Sequence, residues 1–215
     1  MKILFGVQGT GNGHLTRAIA LSEALKSYAV DVDFLISGRP EEPMPFSNLQ
    51  WRDGLTFVAT AGMIDLGKTF KANNILKLVK DIANLRVDDY DLIVSDFEPI
   101  VAWAAKTRGP QTIGISHQNA FRHVVPTCNG HLHTKLMMRY FAPADREIGL
   151  HWHHFDQPIL PPIIDLDLNN RPVQQHNKVT VYVPVEDQKK IIRLLTNIPE
   201  FEFYIYSPVL TDNDD

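Results

Sequence analysis

The chain has 215 residues, an apolar fraction of 44% and a formal net charge of −4. These values fit a globular protein with a substantial core and give no basic footprint, so nucleic acid is not an expected partner. No apolar run approaches membrane-spanning length, and the single cysteine, Cys128, excludes an internal disulfide and fits a reducing cytoplasm.

The run Lys2-Ile-Leu-Phe-Gly-Val-Gln8 reads as a buried strand, and no small-residue cleavage site follows it, so it does not read as a signal peptide. Gly9-Thr-Gly-Asn-Gly-His-Leu-Thr-Arg17 comes next. Leu15, Ala18, Ile19, Ser22 and Leu25 then recur at helical spacing. A strand, a glycine turn and a helix start therefore coincide, which brings bare backbone N–H groups and a helix N-terminus to one place. His14 sits where that helix begins. The dinucleotide fingerprint fits poorly: its third glycine would fall at His14, and the second strand, Asp31-Val-Asp-Phe-Leu-Ile-Ser37, ends without a carboxylate. Arg39 beyond it would suit a 2′-phosphate. The plainer alternative is a glycine turn whose histidine only caps the helix.

Three prolines make 39–45 a loop, and Leu55-Thr-Phe-Val-Ala-Thr60 reads as a third strand. The partly apolar loop 61–67 reads equally as pocket lining or as core. Asn74 to Arg86, with Ile75, Leu78, Val79, Ile82 and Leu85 on one face, is the clearest helix. Tyr90-Asp-Leu-Ile-Val-Ser-Asp-Phe-Glu-Pro99 reads as a strand closing on two carboxylates, with a helix over 100–107. Asp96 and Glu98 fall past the carboxyl end of that strand, where open α/β sheets place ligands; an N-cap is the plain role for Asp96. Gln111 to Ser116 is a further strand, ending in Ser116-His-Gln-Asn119. Three strands thus deliver imidazole, carboxylate and amide groups to one edge.

Beyond Asn129 histidines gather: His131, His133, His151, His153 and His154. On a strand each x-separated pair would share a face and could hold zinc, but no Cys or carboxylate stands at a ligand spacing, so packing or hydrogen bonding is the favoured role and no metal is assigned. A helix over 132–141 mixes Lys135 and Arg139 with Leu136, Met137, Met138 and Phe141. It reads as a core helix with a solvated edge, the alternative being an interfacial face for a membrane-bound acceptor. Residues 166–177 read as a linker. Strand 178–184, helix 186–197 and strand 201–206 then open a second α/β unit over 178–215 that stops before it could close. A lone βαβ unit cannot bury both strand faces, so this part reads as incomplete, and self-association is one remedy.

Gly11-Asn-Gly-His-Leu-Thr-Arg17, Leu92-Ile-Val-Ser-Asp96 and Ser116-His-Gln-Asn-Ala120, in this order of elements over residues 1–165, resemble the acceptor domain of GT-B glycosyltransferases. The bacterial N-acetylglucosaminyltransferases that complete the lipid-linked peptidoglycan precursor, and uncharacterised transferases related to them, are the nearest in pattern. The turn reads Gly-Thr-Gly-Asn-Gly-His where that enzyme has Gly-Gly-Thr-Gly-Gly-His, so its acceptor does not carry over. The resemblance implies an α/β fold, a Rossmann-like parallel sheet with helices on both faces, with residues 1–165 as the acceptor domain and 178–215 as the start of a nucleotide-sugar domain. It implies inverting transfer of a hexose, N-acetylglucosamine or similar, from a UDP-sugar to a hydroxyl on a glycan or lipid-linked acceptor. The expected setting is cytoplasmic or peripheral at the inner membrane face, with no cofactor beyond the nucleotide sugar.

Inverting transfer needs a base for the acceptor hydroxyl and donors for the departing diphosphate. His14 is the base candidate, since histidine changes charge near neutral pH, with Asp96 as the group that would fix its tautomer and Glu98 as a competing base. Gly11, Asn12, Gly13 and Arg17 are the candidates for the nucleotide, and Ser116, His117, Gln118 and Asn119 for the acceptor. Because the nucleotide-binding half looks unfinished, the chain is expected to be weak or inactive alone. Two other readings remain open: an acceptor-binding module without turnover, and an enzyme acting on the sugar nucleotide alone, as an epimerase does.

Overall fold

The computed structural model describes residues 1–60, 63–127, 132–164, 177–184 and 186–207. In chain order the elements are β1 (Lys2–Gln8), α1 (Asn12–Leu25), β2 (Asp31–Ser37), β3 (Leu49–Arg52), β4 (Ala59–Thr60), β5 (Met63–Ile64), α2 (Leu66–Ala72) and α3 (Ile75–Asn84). There follow β6 (Leu92–Asp96), α4 (Pro99–Arg108), β7 (Thr112–Ser116), α5 (His117–Ala120), α6 (Leu132–Tyr140), β8 (Arg146–Leu150), β9 (Ile159–Leu160), β10 (Lys178–Val181), α7 (Gln188–Leu195) and β11 (Glu202–Ile205). The chain divides into two compact units, Met1–Thr56 with Asn73–Asn169, and Phe57–Ala72 with Asn170–Asp215.

The first unit is built on a seven-stranded sheet in the order β3-β2-β1-β6-β7-β8-β9, parallel throughout. Parallel strands buried on both faces should be apolar almost continuously, and β1 is: every residue from Ile3 to Gln8 is buried. Its side chains alternate between two cores. Leu4, with Leu35 of β2 and Ile93 of β6, packs under α4 (Ile100, Val101, Ala104, Ala105), and Leu78 and Ile82 of α3 add to that core. Phe5 and Val7, with Phe34 and Ile36 of β2, pack on the other face against Leu15 and Ala18 of α1. The expected Rossmann-like sheet with helices on both faces is therefore present. At Gly6 a Cβ would collide with the side chain of Val101, so the missing side chain lets α4 lie close on β1.

Two readings of the sequence change. The third strand is β3 at Leu49–Arg52, not a run over 55–60: Gly54, at φ 58°, turns the chain away, and only Ala59–Thr60 pairs, antiparallel to Met63–Ile64. The sheet also gains β8 and β9, which carry too few consecutive apolar residues to stand out. The apolar stripe expected of 74–86 is split: Leu78, Ile82 and Leu85 pack inward, while Ile75 and Val79 are exposed. Cys128, His131 and nearly all of the 166–177 linker lie outside the described residues, as does the chain's end. In the second unit β10 and β11 pair in parallel, with α7 lying between them in sequence, so that segment is a βαβ unit.

Candidate active site

Strand order runs outward from β1 through β2 and β3 on one side, and from β6 through β7 to β9 on the other. The reversal lies between β1 and β6, whose last paired residues are Val7 and Asp96. Crevices at the carboxyl ends of strands beside such a reversal are where open α/β sheets hold ligands. Both leading catalytic candidates stand there: His14 is in the first turn of the helix that leaves β1, and Asp96 is the last residue of β6.

The two meet. His14 Nδ1 lies 2.7 Å from Asp96 Oδ1, and a carboxylate oxygen only accepts, so a proton sits on Nδ1, and in the neutral ring Nε2 keeps its lone pair. Nε2 has no hydrogen-bond partner among the described residues, and the imidazole is 13% exposed. Asp96 itself is fully buried. Its negative charge is matched by Arg17, whose Nε donates to Oδ2 at 2.7 Å and whose Nη2 donates to Oδ1 at 2.7 Å. This two-pronged ion pair holds the carboxylate in one plane and satisfies what burial would otherwise leave unpaired. Arg17 Nη2 also lies 3.0 Å from His14 Nδ1, but both are donors, so the two are neighbours converging on the same oxygen.

Arg17 was grouped with the nucleotide contacts in the sequence; the structure places it on Asp96, with the side chain only 5% exposed. Its signal was present. Positions 14 and 17 are three apart on one helix, hence on one face, and an arginine on a face that otherwise buries Leu15 and Ala18 needs a carboxylate partner.

Glu98 goes the other way. Phe97 between the carboxylates is buried at φ 54°, in the left-handed region that a bulky residue adopts only when its surroundings hold it there; its ring stacks on Phe141 with centroids 4.7 Å apart. That turn sends Asp96 toward His14 and Glu98 into the interior, where it is the N-cap of α4. Oε1 accepts from Ile100 N at 3.0 Å and Oε2 from Val101 N at 2.7 Å, and Ser37 Oγ donates to Oε1 at 2.6 Å. The plain capping role considered for Asp96 belongs to Glu98. Burial pushes the Glu98 carboxyl up to about 7, against the opposing pull of its hydrogen bonds from Ser37, Val101 and Ile100.

The glycine turn offers donors. α1 starts at Asn12 with Gly11 as its cap residue, and no side chain caps it; His14 N donates to Gly11 O at 3.3 Å, and the amides of Asn12 and Gly13 are left for an anion. Neither Gly11 nor Gly13 has a positive φ. A Cβ at Gly13 would meet nothing within 4 Å, and one at Gly11 only the His14 ring at 3.9 Å. The fold does not need glycine at either position; the bare backbone leaves open space beside His14.

The four acceptor candidates separate. Ser116 is buried, and its Oγ accepts from Asn119 N at 3.0 Å as the cap of α5. Asn119 is buried, with Nδ2 unpaired among the described residues. His117 reaches the surface, with Nδ1 donating to the Leu150 carbonyl at 2.7 Å, and Gln118 is half-buried with Oε1 unpaired. The histidines past β8, His151 half-buried and His153 and His154 exposed, bond to their own turn: Nδ1 of each accepts a backbone N–H two residues on. Among the described residues no group of three or more His, Cys, Asp or Glu is arranged to hold a metal ion, and no helix is long and apolar enough to cross a membrane.

A family model described as glycosyl transferase family 1 matches residues 1–213. No curated protein sequence matches the chain. Among solved structures, the glycotransferase of kitacinnamycin is 12% identical, with 100% of this chain and 67% of that one covered and a TM-score of 0.56. The glycosyltransferase SsfS6 of Streptomyces sp. SF2575 is also 12% identical, with 99% and 69% covered and a TM-score of 0.51. At such identity these two likenesses speak for the fold alone.

Proposed function

Because the chain belongs to glycosyl transferase family 1, we propose that it transfers a hexose, N-acetylglucosamine or a similar sugar, from a uridine diphosphate sugar to an acceptor hydroxyl, with inversion. The fold is that of the GT-B glycosyltransferases. The observation that carries the reading is the His14–Asp96 pair at the strand-order reversal, 2.7 Å apart, with Nε2 left to accept a proton.

In this reading the acceptor O–H donates to Nε2 of His14 as its oxygen bonds to the anomeric carbon. The proton passes to the imidazole, and the bond from that carbon to the diphosphate oxygen breaks on the opposite face. Asp96 holds the ring through Nδ1–H and stabilises the imidazolium as it forms, while Arg17 fixes Asp96. Charge on the leaving diphosphate is met by the free amides at the start of α1, beside Gly11, Asn12 and Gly13. This route calls for no resident cofactor. Exposed His117 and half-buried Gln118, beyond β7, are the remaining candidates for contact with the acceptor.

The finer reading includes a lipid-linked acceptor met at the cytoplasmic face of a membrane. It is supported by the exposed apolar residues Leu76 and Val79 of α3 and Leu136 and Tyr140 of α6, with Lys80 and Arg139 on the same helices.

The direct test is release of uridine diphosphate from UDP-N-acetylglucosamine with and without a bacterial lipid extract as acceptor. Acceptor-dependent release that needs His14 is the expected result. Consumption of the sugar nucleotide with no acceptor present would favour an enzyme acting on the donor alone and sink the proposal.

Gly13→Ala separates folding from function. The added methyl meets no protein atom and replaces glycine within a helix, so stability should hold or rise by up to about 1 kcal/mol. Turnover should fall, because the methyl enters the space left for the diphosphate. Thermal melting and kcat/KM check the two halves, and unchanged kcat/KM would remove the glycine turn from the substrate site.

A further inference from the structure

The Arg17–Asp96 ion pair and the packing of Leu15 and Ala18 hold the first turns of α1, but not the turn before it, Gly9-Thr-Gly11. Glycine on either side of Thr10 gives this turn more backbone freedom than other residues would. A fixed position for the Asn12 and Gly13 amides therefore needs contacts from outside it. Gly9 N donates to Ser37 O at 2.7 Å, which fixes only the start. Arg39 Nη1 reaches Asn12 Oδ1 at 3.3 Å, an exposed contact at the far end.

Between these two holds acts Gln8, the last residue of β1, which is 1% exposed. Its Nε2 donates to Thr10 Oγ1 at 2.5 Å and to Leu55 O, in the loop after β3, at 2.7 Å. A carbonyl oxygen only accepts, so the contact with Leu55 settles which end of the amide is Nε2. Both donors are used on loops, and Oε1 is left buried with no partner among the described residues. An unpaired buried acceptor costs stability, and an apolar side chain at position 8 would extend the buried run of β1 without that cost. What the amide adds is its pair of bonds to the turn and the loop. Room for them is made at Gly38, where a Cβ would lie 2.7 Å from Gln8 Nε2 and collide with Leu55 O. The bond from Gln8 is the one hydrogen bond of Thr10 among the described residues, and Thr10 itself is exposed.

We propose that Gln8 is a positioning residue for sugar transfer: through the Thr10 hydroxyl it holds the glycine turn so that the Asn12 and Gly13 amides face the departing diphosphate. The step it serves rests on the transferase reading; its hold on the turn does not. His14 is fixed separately by Asp96, so releasing Thr10 displaces the amides and leaves the base in place.

The test compares the full native chain with Thr10→Val, which removes the hydroxyl at an exposed position, and Thr10→Ser, which keeps it. In Thr10→Val, kcat for transfer from UDP-N-acetylglucosamine should fall about ten- to hundredfold, the loss that a misplaced group brings. Its KM for the sugar nucleotide, the pH profile of its kcat and its melting temperature should stay as in the native chain. Thr10→Ser should transfer as the native chain does. Nitrogen-relaxation order parameters at Gly11, Asn12 and Gly13 should be about 0.85 in the native chain and Thr10→Ser, and below about 0.6 in Thr10→Val. Gln8→Met loses both donors, and combining it with Thr10→Val should slow transfer no further than Gln8→Met alone. Equal losses in Thr10→Val and Thr10→Ser, order parameters alike in all chains, or native kcat in Thr10→Val would overturn the proposal. If the native chain shows no acceptor-dependent transfer, the transferase reading fails, and the order parameters still decide the hold on the turn. Transfer by the native chain with a turn indifferent to Thr10 would do the reverse.

Discussion

Replacing His14 by Ala is expected to lower sugar transfer by about 10²–10⁴-fold, the usual contribution of a positioned general base, with KM for the sugar nucleotide little changed. His14 is near the surface, and its ring packs in neither core cluster, so the protein should fold as before. Asp96→Asn is expected to cost a similar factor by a different route. An asparagine at this place can present its NH₂ group to Nδ1, which selects the tautomer with the lone pair on the wrong nitrogen; in the serine-protease triad the same change costs about 10⁴-fold. It also leaves Arg17 buried without its counter-charge, so Asp96→Asn should be the less stable of the two. If the residues act as one unit, the double variant should transfer sugar no more slowly than His14→Ala alone. Single-turnover rates on folded protein check this, and additive losses would show that Asp96 serves something other than the imidazole.

Glu98 should make the stability of the fold depend on pH. Its carboxyl titrates at about 7 in the folded protein against an ordinary value of 4.5, chiefly because it is buried. Between these values the folded chain keeps a proton that the unfolded chain has released. The linkage slope is therefore negative: this group's contribution is fully present below pH 4.5, is lost as pH rises toward 7, and is flat beyond it. At 1.36 kcal/mol per pH unit the loss is about 3 kcal/mol. Glu98→Gln is uncharged throughout and should lack this slope. It loses one acceptor for the helix amides and should be the less stable chain at pH 5, then gain about 3 kcal/mol on the native protein by pH 8. Urea unfolding of both chains from pH 5 to 8 measures the difference with other groups cancelled. A flat difference would show that the folded protein holds Glu98 ionised through its three hydrogen bonds.

The central strands and their helices were legible because their patterns are local. β1, β2, β6 and β7 are apolar runs bounded by turn residues, and α3 has period and cap, with Asn74 Oδ1 accepting from Lys77 N at 3.0 Å. β3 was not legible: Leu49-Gln-Trp-Arg52 is too short to show a period, and Leu55-Thr-Phe-Val58 nearby is a better strand by composition yet lies where the chain has already turned at Gly54. β8 begins with two charges and contains a glycine, and only its place beside β7 makes it a strand. At the site, His14 and Asp96 could be placed on one edge from strand ends alone. What the pattern could not show was which carboxylate turned inward, since the reversal rests on the backbone of Phe97, or which carboxylate Arg17 would meet, since Asp96 is far from it in sequence. His151 and His153 follow the favoured hydrogen-bonding role, since the chain makes a tight turn there that uses their ring nitrogens.

The place of β1 and β6 in the sheet bears on how the protein loses its site on heating or in denaturant. Each is hydrogen-bonded on both edges, β1 to β2 and β6 and β6 to β1 and β7, and both faces are covered. Amide hydrogens in such strands exchange with solvent only when the whole cooperative unit opens, whereas the two-residue edge strand β9 can fray alone. The helix bearing His14 springs from one central strand and Asp96 ends the other, so fraying at the sheet's edges leaves their contact in place. Loss of the pair and loss of the first unit's fold are then one event, and partly opened forms still carry an assembled site.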